Sequence, residues 1–342
     1  MVKLQWGILS TGRIARRLAQ ALAVSQTGEL AAVASRSLEP ARAFAEEFGV
    51  PRAYGSYEEL LADPVVEAVY LATPHPFHLE WVIKAAEAGK HILCEKPAGM
   101  SAREVEKMLA AAKQHGVFFM EAFMYRCHPQ TEKVIEILRS GRLGQVKTIE
   151  CSFGGLPAYD PKSRLFAREL GGGAILDIGC YCASMARLVA GVALGGELAE
   201  PLEIKAAGQL DPEEGTDLQA HAVLRFDGGI FAHLSTSMVA PLENCVRVHG
   251  TAGVMTITQP WIAGSAGASI ILRDYATNTA ETISTEDATD LYAYELDAVA
   301  RYRSEGKAPW PAMCGEDSLG NHRLLDAWRK EIRLTYPADD VS

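Results

Sequence analysis

Leu4-Gln5-Trp6-Gly7-Ile8-Leu9-Ser10-Thr11-Gly12-Arg13-Ile14-Ala15 is a short apolar run, a tight turn, and the start of a helix whose apolar positions continue at Leu18 and Leu22. The pattern predicts strand, turn, helix. A dinucleotide-binding turn places glycine where the chain bends, where backbone approaches pyrophosphate, and where helix meets strand. Those places here read Ser10, Gly12 and Ala15, so Gly12 supplies the close approach, Ala15 is tolerated, and Ser10 departs from the motif. Ser10, Thr11, Gly12, Arg13 and Ile14 are the candidate phosphate cradle; a plain strand-to-helix turn is the alternative.

Working outward, Leu30 to Ala34 reads as a second strand and Pro40 to Phe48 as a helix with Ala41, Phe44, Ala45 and Phe48 on one face. Glu67 to Ala72, His91 to Cys94 and Val117 to Ala122 are further short apolar strands, each preceded by a helical pattern. Strands alternating with helices imply a parallel sheet with right-handed crossovers. Beyond residue 123 the rhythm changes. A helix over His128 to Ser140 and a strand over Lys147 to Gly154 lead through a polar loop to a glycine-rich helix running from Gly171 through Val189. Strands separated by turns fill Glu203 to Ile283, and helices over Leu291 to Tyr302 and Ser318 to Leu334 close the chain. The expected architecture is an α/β dinucleotide-binding domain over 1–123, followed by an α+β domain over 124–342 with a mainly antiparallel sheet. No flexible linker is visible, so the two halves are expected to pack tightly.

The chain has 342 residues, 48% of them apolar and 22% charged, with a formal net charge of −10. That balance is globular and offers no basic footprint for nucleic acid or an anionic membrane. Seven cysteines, an odd number without Cys-x-x-Cys spacing, suggest reduced thiols in a cytosolic protein. Neither a signal peptide nor an apolar run long enough to cross a membrane is expected, which places the chain in the cytoplasm.

The second strand ends in Ala34-Ser35-Arg36-Ser37, where an NAD site carries an acid for the ribose 2′-hydroxyl. Arginine and two hydroxyls suit a 2′-phosphate, so the expected cofactor is NADP(H), read by Ser35, Arg36 and Ser37. In His91-Ile92-Leu93-Cys94-Glu95-Lys96-Pro97 an apolar strand ends in an acid, a base and a proline, placing Lys96 on a stiff turn at the edge where such folds bind ligands. A solvated surface turn is the alternative. In Gly171-Gly172-Gly173-Ala174-Ile175-Leu176-Asp177-Ile178-Gly179-Cys180-Tyr181, Asp177 and Tyr181 are four residues apart and would share a helical face. Alcohol oxidation needs a base for the hydroxyl proton, and a nearby ammonium brings a phenol towards the working range. Lys96, Tyr181 and Asp177 therefore form a candidate catalytic set, weighed against Tyr181 as a core aromatic bonded by Asp177.

These residues, with Glu121-Ala122-Phe123-Met124-Tyr125-Arg126 and Ile332-Arg333-Leu334-Thr335-Tyr336-Pro337, resemble the glucose-fructose oxidoreductase / inositol dehydrogenase / MocA family along nearly the whole chain. The closest likeness is to its dimeric dihydrodiol dehydrogenase and NADP-dependent D-xylose 1-dehydrogenase branch; many members carry histidine where this chain has Tyr181, whereas the dihydrodiol and glucose-fructose branch is similar to this chain in carrying tyrosine. The resemblance implies a Rossmann domain followed by an α+β domain with an open-faced sheet. It implies Lys96 and Tyr181 as the catalytic pair and Asp177 in the substrate cleft. Thr73, Pro74, His75, His78, Glu95, Pro97 and Arg126 join the cofactor-binding positions; asparagine is common in the family where His75 stands, and His78 is expected to pack or bond backbone under its loop. Arg126, Phe153, Tyr159 and Trp261 are expected to line the substrate cleft, with core packing as the alternative. His75 and His78 lack further ligands, so no metal is expected. The family association predicts a homodimer or larger through the open sheet face. The implied reaction is oxidation of an aldose C1 hydroxyl, xylose-like, or of a vicinal trans-dihydrodiol. The alternatives are internal redox on a retained cofactor, as in epimerisation or glycoside cleavage, and a non-catalytic NADP- or sugar-binding protein.

Overall fold

The structure, a computed structural model, describes residues 3–340. It forms two compact units. The first holds the chain up to Gly99 together with Arg103–Cys127 and Thr289–Ser318; the second holds Met100–Ala102, His128–Ala288 and the chain from Leu319.

The first unit alternates β1 (Leu4–Leu9), α1 (Arg13–Val24), β2 (Gly28–Ala34), α2 (Leu38–Phe48), β3 (Arg52–Tyr54), α3 (Tyr57–Leu61), β4 (Ala68–Leu71), α4 (His78–Glu87), β5 (His91–Glu95), α5 (Ala102–His115), β6 (Phe119–Ala122) and α6 (Met124–Cys127). All six strands are parallel in the order β3-β2-β1-β4-β5-β6. The order reverses direction between β1 and β4, and ligands of such sheets bind beyond the carboxyl ends of the strands at that switch. β4 and β6 are buried along their whole length, as strands covered on both faces must be. β3 escaped the sequence reading because it has only three half-buried residues and no apolar run.

The second unit contains α7 (Pro129–Arg139), β7 (Val146–Gly154), a π-turn at Ile175–Gly179, α8 (Cys180–Ala193) and β8 (Glu203–Leu210). β9 (Asp217–Arg225), β10 (Phe231–Ser237), β11 (Val246–Gly250), β12 (Gly253–Ile257), β13 (Ser269–Asp274) and β14 (Ala280–Ser284) complete its sheet. The order is β14-β13-β12-β11-β7-β10-β9-β8, with β7 and β10 parallel and every other pair antiparallel. Along β9, Ala220, Ala222 and Leu224 are buried while Val223 and Arg225 are exposed, so one face is core and the other open. From Cys180 to Val192 every residue of α8 is buried. The helical run Arg168–Ala193 is, against expectation, long and apolar enough in composition to cross a membrane, but 89% of its apolar window is buried inside the protein. It is the core helix of this unit.

The chain then forms α9 (Leu291–Tyr302) and α10 (Gly315–Glu331). The expected boundary at 123 is corrected by α9, which belongs to the first unit. Leu296 and Val299 are fully buried in one core with Trp6, Tyr70, Leu93 and Met120, and Ala308 and Ala312 follow them into it. A sequence split by position assigns this segment to the wrong unit, because burial and not chain order decides it.

Glu295, on the same helix, is fully buried, and neither of its carboxylate oxygens has a hydrogen-bond partner. Burial, with the charges of Glu95 and Asp290, pushes its carboxyl well above the usual carboxylate range. A carboxyl that holds its proton more tightly when folded contributes fully below its unfolded value of about 4.3 and loses that contribution as pH rises towards the folded value. Glu295→Gln should therefore match the wild type near about pH 4 and exceed it in urea midpoint by about pH 8. A gap that stays constant with pH would show that Glu295 titrates as it does in the unfolded chain.

Candidate active site

β1 ends at Leu9, and Ser10 follows with φ 114°, in the left-handed region that favours glycine. The serine that departs from the motif thus takes a glycine-like conformation, and its Oγ accepts from the Gly12 N–H at 3.3 Å. Gly12 caps α1 without a side-chain hydrogen bond, and no acid stands in the first turn. Nothing in the protein demands glycine at position 12: its φ is −70°, and an added Cβ would meet only Ser10 Oγ at 3.5 Å. Bare backbone beside an uncapped helix start fits the close approach of a pyrophosphate. Ala15 is fully buried, which is the close helix-to-strand packing its place in the motif asks for.

Beyond β2, Ser35 is half-buried and Arg36 and Ser37 are exposed. Ser37 caps α2 without spending its hydroxyl on the helix. Beyond β4, the Thr73 hydroxyl is buried with no hydrogen-bond partner among the described residues, a polar atom that a bound ligand would satisfy. Uncapped amides, exposed Arg36 and this orphaned hydroxyl all lie beyond carboxyl ends of the parallel strands, and together they fit a dinucleotide.

Lys96 is half-buried on the turn after β5, and the Lys96–Pro97 peptide is cis. Neighbouring elements hold the turn. Glu95 accepts from the Tyr70 hydroxyl of β4 and from the Lys96 N–H at 3.2 Å. Glu121 of β6 accepts from the Ala98 N–H at 2.8 Å. His78, fully buried, has Nδ1 3.1 Å from both the Pro97 and Ala98 carbonyl oxygens and Nε2 2.7 Å from that of Thr73. His78 therefore bonds backbone under the loop, as expected, and is corrected as a cofactor contact, since both ring nitrogens are occupied by carbonyls. Glu95, likewise, is turned inward as a brace. Buried His75 sets its ring edge on His78 at 5.9 Å, and Pro74 precedes it. Among the described residues no group of three His, Cys, Asp or Glu side chains could hold a metal ion.

Arg126 is a second correction. It is fully buried, donating from Nε to the Pro311 carbonyl at 2.7 Å and from Nη2 to Asp317 at 2.6 Å, and its partner is as buried as itself. Asp317 raises the guanidinium pKa against the opposing effect of burial. It ties α6 to Pro311 and to Asp317 in the first turn of α10 and does not line a cleft.

In the second unit Tyr181, 5% exposed, stands in the first turn of α8. Its ring meets Phe153 of β7 edge-on at 5.4 Å and Trp261 at 5.8 Å, while Phe153 and Trp261 stack at 5.6 Å and 14°. Such ring pairs contribute about 0.5–1.5 kcal/mol each beyond burial. Trp261 also donates to the Ser152 carbonyl at 3.0 Å, so its indole is packed and its one donor used. Asp177 lies in the π-turn, so the angular relation of positions 177 and 181 is not that of the expected continuous α-helix. Such turns are frequent at functional sites. Its carboxylate accepts from Arg164 Nη1 at 2.9 Å. Tyr159 stands apart: half exposed, it packs on Phe166, and desolvation with its hydrogen bond to Asp211 pushes the phenol up to about 12. Sequence reasoning missed Arg164, Tyr70 and Glu121 as supports; Arg164 sits in an irregular loop with no periodicity, and the other two looked like ordinary strand residues.

The family profile described as the oxidoreductase family with an NAD-binding Rossmann fold, GFO/IDH/MocA, matches residues 4–123, and the GFO/IDH/MocA C-terminal domain matches 131–256. The trans-1,2-dihydrobenzene-1,2-diol dehydrogenase of Xenopus laevis is 35% identical, covering 97% of this chain and 99% of its own. The chain belongs to the GFO/IDH/MocA oxidoreductases. Another relative, the D-xylose 1-dehydrogenase (NADP(+)) 2 of Haloferax volcanii, is 35% identical over 95% of this chain and 96% of its own. Among solved structures, a 3-ketoreductase from Actinomadura kijaniata in complex with NADP and TDP-benzene superposes with a TM-score of 0.86 at 29% identity, covering 97% of this chain and 98% of that one. As the family model describes, the first domain is a dinucleotide-binding one with a Rossmann fold.

If Arg126 is structural, Asp317→Ala should cost about 3–5 kcal/mol by leaving a buried cation unpaired. Chemical denaturation measures this; a loss under about 1 kcal/mol would return Arg126 to the list of ligand-facing side chains.

Proposed function

We propose that this oxidoreductase is an NADP-dependent dehydrogenase that oxidises the C1 hydroxyl of an aldopyranose such as xylose, or a vicinal trans-dihydrodiol. The observation that carries the reading is the Lys96 turn, braced by Tyr70, Glu121 and His78 beyond the same strand ends as the bare-backbone Gly12 turn. The names of the dihydrodiol and xylose dehydrogenases support the choice of substrate class.

NADP, when bound, supplies the acceptor for the substrate hydride. Arg36, with the hydroxyls of Ser35 and Ser37, would pair with the 2′-phosphate, and the Thr73 hydroxyl would gain a partner. Tyr181 takes the substrate hydroxyl proton as the base of the reaction, and Lys96 is the second catalytic residue. Asp177, fixed by Arg164, accepts from a neighbouring substrate hydroxyl. Phe153 and Trp261 hold the Tyr181 ring from two sides and leave it little rotational freedom. We also propose that the protein assembles as a homodimer or larger through the open face of its second sheet, where Val223 and Phe231 are exposed, and that it works in the cytoplasm, where its free cysteines stay reduced.

Absorbance of the reduced nicotinamide, followed with NADP over a panel of aldoses, inositols and dihydrodiols, tests the substrate class; silence across the panel with NADP still bound would favour internal redox or a binding role. Lys96→Ala should lower kcat by about 10²- to 10⁴-fold while changing NADP affinity far less. Unchanged turnover would remove the mechanism. Arg36→Ala should weaken NADP by about tenfold or more in a fluorescence titration and leave NAD nearly unaffected; equal losses for both would place Arg36 away from the 2′-phosphate.

A further inference from the structure

The backbone reaches the π-turn through Gly172 and Gly173, where there is no spare volume. Gly173 has φ 119°, and a Cβ there would lie 2.2 Å from Asp217 Oδ1 and 3.0 Å from the Tyr336 hydroxyl. At Gly172 a Cβ would meet the Phe166 backbone at 2.7 Å. Side chains from separate elements hold this passage. Asp217, the first residue of β9, accepts from the Ile175 N–H at 2.7 Å; Thr236 of β10 donates to the Ala174 carbonyl at 3.2 Å; Tyr336, beyond α10, donates to the Gly172 carbonyl at 2.5 Å. The Asp177 N–H then donates to the Gly173 carbonyl at 3.2 Å, so the clamped residues carry the next turn directly.

Asp217 is fully buried, and among the described residues its Oδ1 has no hydrogen-bond partner. A buried carboxyl with one bare oxygen costs stability, and the bond from the buried Ile175 N–H offsets part of that cost. Its position is therefore explained by what it holds. We propose that Asp217 is a positioning residue of this oxidoreductase, setting the register of the π-turn so that Asp177 and Tyr181 keep their places, with Thr236 and Tyr336 completing the clamp. This rests on the reading of Tyr181 as the residue that handles the substrate proton.

The clamp also responds to pH. Burial pushes the Asp217 carboxyl up to about 7, against the bonds from backbone amides and the charge of Arg329 on α10. The Tyr336 hydroxyl is the other titratable group facing it, and Tyr336 in turn feels Arg329, Arg168 and Asp339. A charge therefore appears beneath the π-turn as pH passes neutrality, and the charged oxygen is the stronger acceptor for the Ile175 N–H.

The experiment compares wild type, Asp217→Asn, Asp217→Ala and Tyr181→Phe by kcat, KM and NADP affinity across about pH 6 to about pH 9. Asp217→Ala should lose about 10- to 100-fold in kcat, with KM and NADP affinity within about threefold. Asp217→Asn keeps an acceptor for Ile175, so its kcat should stay within about threefold of wild type at the acid end while lacking the ionisation near neutrality. A wild-type profile without that ionisation, an Asn variant that reproduces it, or a folded Ala variant with wild-type kcat overturns the proposal. Should the Ala variant fail to fold, the Asn profile alone decides. Tyr181→Phe separates the two readings: full activity there removes the role of Tyr181 and this inference with it, whereas an inactive Phe variant beside an unaltered Asn profile removes only the clamp.

Discussion

Tyr70 donates to Glu95 from the neighbouring parallel strand, and the turn that carries Lys96 is built on that bond. Both groups are buried, so neither exchanges its partner for water at little cost. Burial with the Glu95 charge raises the Tyr70 phenol far above its usual value, which keeps it a hydrogen-bond donor at every working pH. His78 and Glu121 then fix the carbonyls and the amide that follow the lysine. A lysine is a flexible side chain on four rotatable carbons, and what the protein supplies is a fixed point from which it starts. Proline after it removes one donor, and the brace takes up the groups that remain.

The second unit solves the same problem by a different means. Tyr181 is set by a helix that begins as a π-turn and by two aromatic neighbours on strand and loop. Here the constraint is steric on one side and hydrogen-bonded on the other. Rings restrain rotation of the phenol, whereas the backbone beneath it is held by carboxyl, hydroxyl and phenol groups drawn from distant parts of the sequence. Lys96 and Tyr181 are thus both presented by short irregular segments braced by buried polar neighbours.

Periodicity made most of the fold legible. The parallel strands declared themselves as apolar runs because both faces are covered, and the helices between them by their stripes; β3 was lost because three half-buried residues carry no pattern. The turns at Gly12 and at Lys96 were readable because glycine and proline mark backbone geometry directly. Arg126 and His78 were misassigned for a common reason: a polar residue beside a motif looks like a ligand contact from sequence, whereas in three dimensions Asp317 and the Thr73 and Pro97 carbonyls claim it first. The break from α to π at Asp177 was invisible because the residues that bond the backbone leading into it are distant in the chain: Asp217, which accepts from Ile175, stands 40 positions beyond Asp177, on β9. Tyr159 was legible only as an aromatic, and its loop gave no clue to which ring it would meet.

The return of α9 to the first unit has a consequence for how the protein is made. Leu296, Val299, Ala308 and Ala312 belong to the same core as β1, β4 and β5, yet a ribosome delivers them only after the entire eight-stranded sheet has emerged. The amino-terminal core therefore spends most of synthesis without its last wall, and a fragment cut at residue 123 would expose the apolar surface that this helix covers. Exchange of cofactor modules between relatives has to move separate stretches of chain, the last of them Thr289–Ser318.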